Sequence, residues 1–265
     1  MNRTTLPEHR TEALIRSMGR IITPNRYRFA IRRLYYRLRR LAYYGHQRFC
    51  PCCKAHLRVF LPFGVKQRPD AQCPSCGSLE RHRLLLLYLQ QQTSCFTAPQ
   101  RILHVAPEPA LTAILQTLPH VAYYTTDLMM NGVMVQTDLT HIAFPDSAFD
   151  LILCNHVLEH IPDDRQAMRE LRRVLRRGGQ AILQVPLDPQ LEQTFEDAAI
   201  TDPAERLRWF GQEDHVRLYG LDYPDRLREA GFEVHIDDFV RTLDPATVIH
   251  SGLDRNEYLY VCKHP

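Results

Sequence analysis

The chain has 265 residues, of which 45% are hydrophobic and 24% charged, and its formal net charge is +3 at pH 7. This composition excludes an intrinsically disordered chain, and the length suits one large α/β domain or a domain of about 200 residues with an appendage. No apolar run in the sequence approaches the roughly 20 residues that a membrane span requires. The N-terminal sequence also lacks the apolar core of a secretory signal, so we expect a cytoplasmic protein.

The first 49 residues are predicted to form a basic helical leader. They contain twelve arginines and two glutamates, a net charge of +10, so the remaining residues carry a net charge of −7. From Tyr27 to Phe49 the pattern predicts an amphipathic helix, whose apolar stripe consists of Tyr27, Ile31, Leu34, Leu38 and Leu41. The stripe can pack on the rest of the protein. Alternatively, residues 26–49 can lie on an anionic membrane at its inner face, with RNA as a less favoured partner.

Residues 50–92 are predicted to form a zinc knuckle and a connecting helix. Two C-x2-C pairs stand nineteen residues apart, a spacing typical of zinc sites. The predicted ligands are Cys50, Cys53, Cys73 and Cys76. Four thiolates leave no open coordination position, so the ion would be structural. Cys52 or His56 could replace a ligand, and two unrelated thiol pairs are the alternative without a metal.

Residues 93–265 are predicted to form an α/β domain in which strands and helices alternate. The candidate strands are Arg101–Val105, Val121–Thr126, Val133–Gln136, Leu151–Cys154 and Ala181–Val185. Asp127 follows the second strand, nineteen residues after Glu108, which is close to the spacing of a ribose-binding acid in Rossmann-like sites. Asp138 follows the third strand, where an acid or a neighbouring amide can bind an adenine edge.

The stretch from Phe149 to Leu187 predicts a strand, a polar turn, an amphipathic helix and a second strand. Asp163 and Asp164 suit the start of that helix, and Gly178-Gly179 is predicted to be its left-handed cap. The polar turn contains Asn155, His156, Glu159 and His160. It follows a strand at the edge where open α/β sheets bind ligands.

The segment His156–His160 also matches H-x-x-E-H, the signature of the inverted zinc proteases. That motif requires a continuous helix, whereas here a buried strand ends before His156 and Pro162 follows soon after His160. We therefore interpret the two histidines as a pocket wall or a base rather than as zinc ligands. A purely structural turn is the alternative.

The segments that follow resemble the class I S-adenosylmethionine-dependent methyltransferases, particularly a small-molecule branch with an HVLEHI turn. They are Asp127, Asp138-Leu139, FPDSAFDLILCNHVLEHI, LRRVLRRGGQAILQVP and EAGFEV. The resemblance implies a Rossmann-like seven-stranded α/β sheet, preceded here by the basic helix and the zinc knuckle. It implies that the last two strands, near Val234–Phe239 and Leu259–Lys263, form an antiparallel hairpin.

The resemblance also implies S-adenosylmethionine as the cofactor. Its implied binding residues are His104, Ala106, Glu108, Asp127, Leu128, Asp138, Leu139, Asn155 and His156. Glu108 would pair with the ammonium group, Asp127 would bind the ribose and Asp138 the adenine. His156, His160 and His215 are candidate bases for an acceptor that must lose a proton. We expect a small-molecule or glycan- or lipid-linked acceptor.

The irregular segment from Pro186 to Tyr223 is predicted to form a lid or a substrate wall. Within it, Asp214-His215 could act as a base with its orienting acid, and Arg217 could bind a substrate anion. A surface helix hairpin is the alternative.

One departure from the family pattern concerns the first loop, HVAPEPAL, which has no glycine where the family is glycine-rich. A non-catalytic zinc-binding scaffold therefore stays open as an alternative function. An RNA methyltransferase that grips RNA with the zinc knuckle and the arginines is another. Against it, Asn155-His156-Val157-Leu158 stands where such enzymes carry an N-P-P-Y type tetrapeptide.

Overall fold

The computed structural model describes residues 25–65 and 67–265. The first 24 residues of the predicted leader, and the side chains of residues 25–33, lie outside the described part. The helices are α1 (Asn25–Ala42), α2 (Glu80–Gln92), α3 (Pro109–Leu115), α4 (Asp164–Val174), α5 (Pro203–Phe210), α6 (Tyr223–Glu229) and α7 (Pro245–His250). Short 3-10 helices span Leu158–His160 and Phe239–Arg241.

The strands comprise four short ones that precede the main domain, seven in its sheet and two in a small insertion. The first four are β1 (Tyr44–Cys50), β2 (Ala55–Leu57), β3 (Leu61–Phe63) and β4 (Arg68–Gln72). The sheet contains β5 (Gln100–Val105), β6 (Val121–Asp127), β7 (Val135–Gln136), β8 (Phe149–Asn155), β9 (Leu175–Gln184), β12 (Glu233–Asp237) and β13 (Leu259–Lys263). The insertion contains β10 (Phe195–Glu196) and β11 (Arg217–Leu218).

The seven-stranded sheet has the order β12-β13-β9-β8-β5-β6-β7. Strands β5 to β9 pair in parallel, whereas β13 runs antiparallel to both β9 and β12. This topology confirms the predicted Rossmann-like sheet and its antiparallel final hairpin. The central strands are buried on both faces, because one core cluster includes α4 and α6 and the other includes α2 and α3.

The predicted leader helix was wrong beyond Ala42. Residues Tyr44–Cys50 form β1, which pairs antiparallel with Ala55–Leu57 and carries the first cysteine of the predicted zinc site. The pairing of these two strands supplies the backbone hydrogen bonds that a continued helix would have made internally. The helix therefore ends at Ala42, before the strand that carries the first cysteine.

The predicted glycine cap of α4 was also wrong. The helix begins as predicted, because the Asp163 carboxylate accepts a hydrogen bond from the Gln166 backbone N–H at 2.9 Å. It ends at Val174, and Gly178-Gly179 lie inside β9. Gly178 has φ +69° where the register between β8 and β9 shifts, so its conformational freedom serves a bulge rather than a helix end.

Candidate functional site

Three parallel strands end at one edge of the sheet and bring the predicted cofactor residues together. Strand β5 leads to Ala106–Glu108, β6 ends at Asp127 and β8 ends at Asn155. Ala106 and His156 both have left-handed backbone, with φ of 46° and 54°. Such backbone in non-glycine residues is uncommon and is concentrated at functional sites. Ala106 therefore forms a sharp turn with the left-handed backbone that glycine adopts most easily.

Glu108 is the centre of the polar network at this edge. Its Oε2 lies 2.5 Å from His104 Nε2, and its Oε1 accepts a hydrogen bond from Asn155 Nδ2 at 3.1 Å. Burial by itself would raise the pKa of Glu108, but the hydrogen bond with His104 and the neighbouring charges hold this pKa at about 2. Glu108 is therefore ionised at neutral pH.

His104 contacts Glu108 and does not face the open edge of the sheet. Its side chain is fully buried, and its Nδ1 lies 2.8 Å from the Tyr123 hydroxyl while Nε2 lies against Glu108. With both ring nitrogens engaged, the side chain of His104 can influence a ligand only through the carboxylate that it orients.

Two side chains from α2, Arg81 and His82, reach the same network. His82 Nε2 lies 3.7 Å from Glu108 Oε1, while its Nδ1 accepts a hydrogen bond from the Leu79 backbone N–H at 3.2 Å. The proton of the neutral ring is therefore on Nε2, and burial lowers the pKa of His82 to about 3. Arg81 interacts electrostatically with both Glu108 and His156. Sequence reasoning missed this pair, although the R-H-R segment that follows the second cysteine pair was its visible signal.

Several of these polar groups have no hydrogen-bond partner within residues 25–65 and 67–265. The buried atoms concerned are Asn155 Oδ1, Arg81 Nε and His82 Nε2. The Asn155 amide is oriented by the carboxylate, which can only accept, so its oxygen faces away from Glu108. Since buried polar groups in native proteins are nearly always hydrogen-bonded to protein, water or a ligand, this cluster is able to bind a polar ligand.

The ribose and adenine side is formed by the ends of β6 and β7. Asp127 Oδ1 accepts hydrogen bonds from the Met129 and Met130 backbone N–H groups, both at 2.7 Å, and fixes the loop. In the part of the chain that the structure describes, the other carboxylate oxygen makes no hydrogen bond. Leu128 is exposed and available to a ligand.

The two residues predicted to bind adenine differ in access. Asp138 Oδ1 accepts hydrogen bonds from the Thr140 backbone N–H and hydroxyl, and these bonds lower the pKa of Asp138. Leu139 belongs to the apolar core, so only its backbone can meet a ligand.

The four predicted metal ligands converge, with all four sulfur atoms within 4.8 Å of one another. Cys50 Sγ lies 3.7 Å from Cys76 Sγ, and Cys53 Sγ lies 3.8 Å from Cys73 Sγ. A disulfide would need about 2.05 Å, whereas four thiolates about 2.3 Å from a tetrahedral zinc ion lie about 3.8 Å apart. The residues therefore fit a structural zinc ion.

Neither alternative ligand belongs to this converging group, although the Cys52 thiol interacts with that of Cys50. Cys52 Sγ faces the His82 carbonyl oxygen at 3.9 Å, and the His56 ring packs on Phe49 and His46. Neither Cys52 nor His56 therefore joins the four predicted ligands as a candidate ligand of the same ion.

The HVLEH turn is a 3-10 turn over Leu158–His160 and not a continuous helix, as expected from Pro162. Glu159 is fully buried, with its Oε1 3.4 Å from His156 Nδ1 and 3.9 Å from His215 Nε2. Burial lowers the pKa of His215, and burial likewise lowers that of His156. The three candidate bases thus lie around one buried carboxylate.

The contacts made by two residues of the insertion, residues 186–223, do not fit the roles predicted for them. Asp214 lies 3.4 Å from His160 Nδ1, so the prediction that it orients His215 was wrong. Arg217 is buried and bonds Glu196 and the carbonyl oxygens of Leu158, Ile161 and Pro162, so it is not available to a substrate anion. It instead fastens the insertion to the HVLEH turn.

Comparison with known proteins identifies the domain that carries this site. Residues 100–183 match a protein family described as "Methyltransferase domain". The chain carries a methyltransferase domain. The matched range of this methyltransferase domain runs from β5 through β9 and contains every predicted cofactor-binding residue. It does not contain the cysteines, α1 or the insertion.

Two known proteins are similar in sequence to parts of this chain. A 27-O-demethylrifamycin SV methyltransferase of Amycolatopsis mediterranei is 34% identical over 115 residues, which are 42% of this chain and 39% of that protein. The uncharacterized methyltransferase YcgJ of Bacillus subtilis is 40% identical over 55 residues, or 20% and 22% of the two chains. The crystal structure of YcgJ aligns with 59% of this chain and 70% of that chain, at 24% identity and a TM-score of 0.43.

Proposed function

We propose that the protein transfers a methyl group from S-adenosylmethionine to a small-molecule or glycan- or lipid-linked acceptor. The observation that carries this proposal is the unsatisfied polar cluster around Glu108, which matches the charges of an amino-acid zwitterion. Glu108 and Asn155 Oδ1 offer negative and accepting groups for an ammonium, while Arg81 and His82 offer donors for a carboxylate.

Each end of the cofactor has candidate residues, which lie at the ends of the parallel strands and on α2. Glu108 and Asn155 would bind the ammonium group, Arg81 and His82 the carboxylate, and Asp127 the ribose. Leu128, the Asp138 carboxylate and the Leu139 backbone would bind the adenine side. When bound, the cofactor supplies a sulfonium-activated methyl group, and the protein contributes mainly by holding the acceptor in line with it.

This arrangement accounts for the missing glycines of the first loop. A glycine-rich loop lets the backbone approach a ligand closely, and proline removes amide donors. Here side chains of α2, outside the matched domain, would supply the donors that the backbone does not. Arg81 and His82 therefore support a functional site rather than a degenerate pocket.

Calorimetry with S-adenosylmethionine tests the proposal directly. Saturable binding is expected for the folded, zinc-loaded protein. Failure to bind at millimolar cofactor would leave the non-catalytic scaffold as the better interpretation.

Replacing Asp127 with alanine should weaken cofactor binding by about 30-fold or more while leaving the fold intact. The carboxylate would bind ribose hydroxyls, and it also fixes the Met129–Met130 loop, so both contributions are lost. We expect a loss of about 2 kcal/mol or more in binding free energy, because a hydrogen bond to a charged group is worth about 1.5–3 kcal/mol. Circular dichroism and calorimetry check the two halves of this prediction, with the exposed Asp225→Ala as a control.

We propose that, of the three candidate bases, His156 is the one that lies nearest to the bound acceptor. It follows the end of β8 directly, its side chain is 24% exposed, and Glu159 and Glu108 both act on its pKa. His215 is almost fully buried, and His160 lies beside Asp214. The relative named for 27-O-demethylrifamycin SV supports a small-molecule acceptor.

We further propose that the leader rests on an anionic membrane surface. Leu34, Leu38 and Leu41 of α1 are 57%, 58% and 75% exposed, so in the described structure their stripe is not packed on the domain. Exposed Arg37 and Arg40 lie on the same helix and can meet anionic lipid headgroups. Among the described residues, no helix is both long enough and apolar enough to span a bilayer.

The paired substitutions Leu38→Glu and Leu41→Glu should remove vesicle binding. Each leucine contributes about 1.5–3 kcal/mol when fully buried, so even partial burial makes the expected loss at least tenfold. The measurement is flotation of the full chain with phosphatidylglycerol vesicles, compared with phosphatidylcholine vesicles and with high salt. Leu221→Glu, which alters an exposed leucine elsewhere, is the control. Binding to RNA but not to vesicles would favour the RNA methyltransferase instead.

A further inference from the structure

We propose that Glu159, His160 and His215 bind a divalent transition-metal ion at a second site, separate from the four cysteines. One ligand atom from each of the three residues lies within 4.8 Å of the others. Two imidazoles and one carboxylate form a donor set that suits zinc, iron, manganese or cobalt. Glu159 follows His156 by one turn of the chain, and the site lies on the side of the HVLEH turn that the insertion covers.

The carboxylate of Glu159 is the strongest observation. It is fully buried, and neither oxygen has a hydrogen-bond partner within the described residues 25–65 and 67–265. The ring nitrogens nearest to its Oε1 are His156 Nδ1 at 3.4 Å and His215 Nε2 at 3.9 Å, and neither makes a well-formed hydrogen bond to it. A buried carboxylate with no donor is costly, and a bound cation removes that cost.

The two histidines are oriented as metal ligands usually are. His215 Nδ1 lies 3.1 Å from the Phe210 carbonyl oxygen, which can only accept, so the ring donates there and its Nε2 keeps a lone pair toward Glu159. That Nε2 has no hydrogen-bond partner in the part of the chain described. His160 Nδ1 likewise lies 3.3 Å from the Asp214 carbonyl oxygen. A backbone acceptor on the other ring nitrogen is typical of metal-bound histidine.

Residues far apart in the sequence are fastened together at this site. Arg217 bonds the carbonyl oxygens on either side of the turn, and the Val216 backbone N–H donates to the Glu159 carbonyl oxygen at 2.9 Å. The arrangement differs from that of the zinc proteases, because Glu159 is here a ligand and His215 comes from the insertion. Three protein ligands leave at least one coordination position open, and the His160 side chain is one-third exposed.

The test is metal content of the full-length protein. After incubation with zinc chloride and removal of excess ion, the wild-type chain should hold two zinc equivalents by mass spectrometry of the elements. Glu159→Gln and His215→Ala should each hold one, and His235→Ala, which alters an exposed histidine elsewhere, should hold two. One equivalent in the wild type, or two in both site variants, would overturn the proposal.

Cobalt identifies which site is lost. With Co²⁺ in place of zinc, Glu159→Gln should lose weak visible bands and keep the intense near-ultraviolet thiolate bands of the four-cysteine site. Glu159→Gln preserves side-chain shape, so it decides the outcome if His215→Ala fails to fold. The melting temperature of Glu159→Gln should not rise when zinc is added beyond one equivalent, whereas that of the wild type should rise. These measurements need no S-adenosylmethionine, so their failure is distinct from a failure of the proposed methyl transfer.

Discussion

Replacing Glu108 with glutamine should weaken S-adenosylmethionine binding by roughly 30- to 1,000-fold, or about 2–4 kcal/mol. Glutamine keeps the shape of the side chain and removes the charge that would face the ammonium group. It also disturbs the contact with His104 and the hydrogen bond from Asn155. Calorimetry with the purified full chain measures the change, and the exposed Glu233→Gln is the matched control.

A cofactor fragment makes this prediction specific. Methylthioadenosine contains the adenosine and the sulfur but no amino-acid group, so it should bind the wild type and Glu108→Gln with similar affinity. An equal loss for both ligands would mean that the substitution damages the whole pocket, and the assignment of Glu108 to the ammonium would fail.

The pH dependence follows from the same residue. The pKa of Glu108 is about 2, below its usual value, so the carboxylate stays ionised until the pH falls through that range. Cofactor affinity should therefore not decline between pH 8 and pH 4 on account of Glu108. A decline centred near pH 4.5 would show that this carboxyl group titrates normally.

The fold was predictable because its signals are local. Short apolar runs such as Leu151–Cys154 are typical of strands covered on both faces, and Asp163 marks the start of α4 by its own hydrogen bond. The ends of elements were less predictable where pairing decided them. Tyr44–Cys50 is a strand because Ala55–Leu57 lies beside it, and Gly178 sits in a bulge because β8 and β9 shift register there.

The site was predictable only where strand ends define it. Asp127 and Asn155 end two parallel strands and Glu108 follows the strand between them, so the topology places all three at one edge of the sheet. The position of Arg81 depends on how the four-cysteine module packs on the main domain, and that of His215 on how the insertion packs on the turn. Neither packing arrangement leaves a periodic pattern in the sequence, because both join segments distant along the chain.

The packing of the four-cysteine module on the main domain depends on one buried arginine. Arg83 is fully buried and donates hydrogen bonds to five carbonyl oxygens, three in the knuckle and two at Ser251 and Gly252 of the main domain. Its guanidinium also stacks on Phe60 at 3.9 Å. Arg81 and His82 precede it directly in α2, so the orientation of all three depends on the same module.

Cys73→Ser should therefore lower both the stability and the cofactor affinity of the protein. Loss of a structural metal is one of the few single changes that can cost about 4 kcal/mol or more, because binding of the metal and folding of its module are coupled. Without an ordered knuckle, Arg83 loses three of its five acceptors, and Arg81 and His82 lose the support that aims them at Glu108. Thermal unfolding, zinc content and calorimetry measure the three expected losses.

Cys52→Ser is the matched control, because Cys52 lies between two predicted ligands but its sulfur is not one of the four that converge within 4.8 Å, and it lies 3.9 Å from the His82 carbonyl oxygen. It should retain zinc and nearly all of the cofactor affinity. If Cys73→Ser lost zinc and still bound S-adenosylmethionine like the wild type, the knuckle would be a separate module. The carboxylate of the cofactor would then have to be bound by the Ala106–Glu108 loop alone, where the two prolines on either side of Glu108 offer no amide donors. The zinc variant thus decides whether this domain completes its pocket with residues from outside the methyltransferase fold.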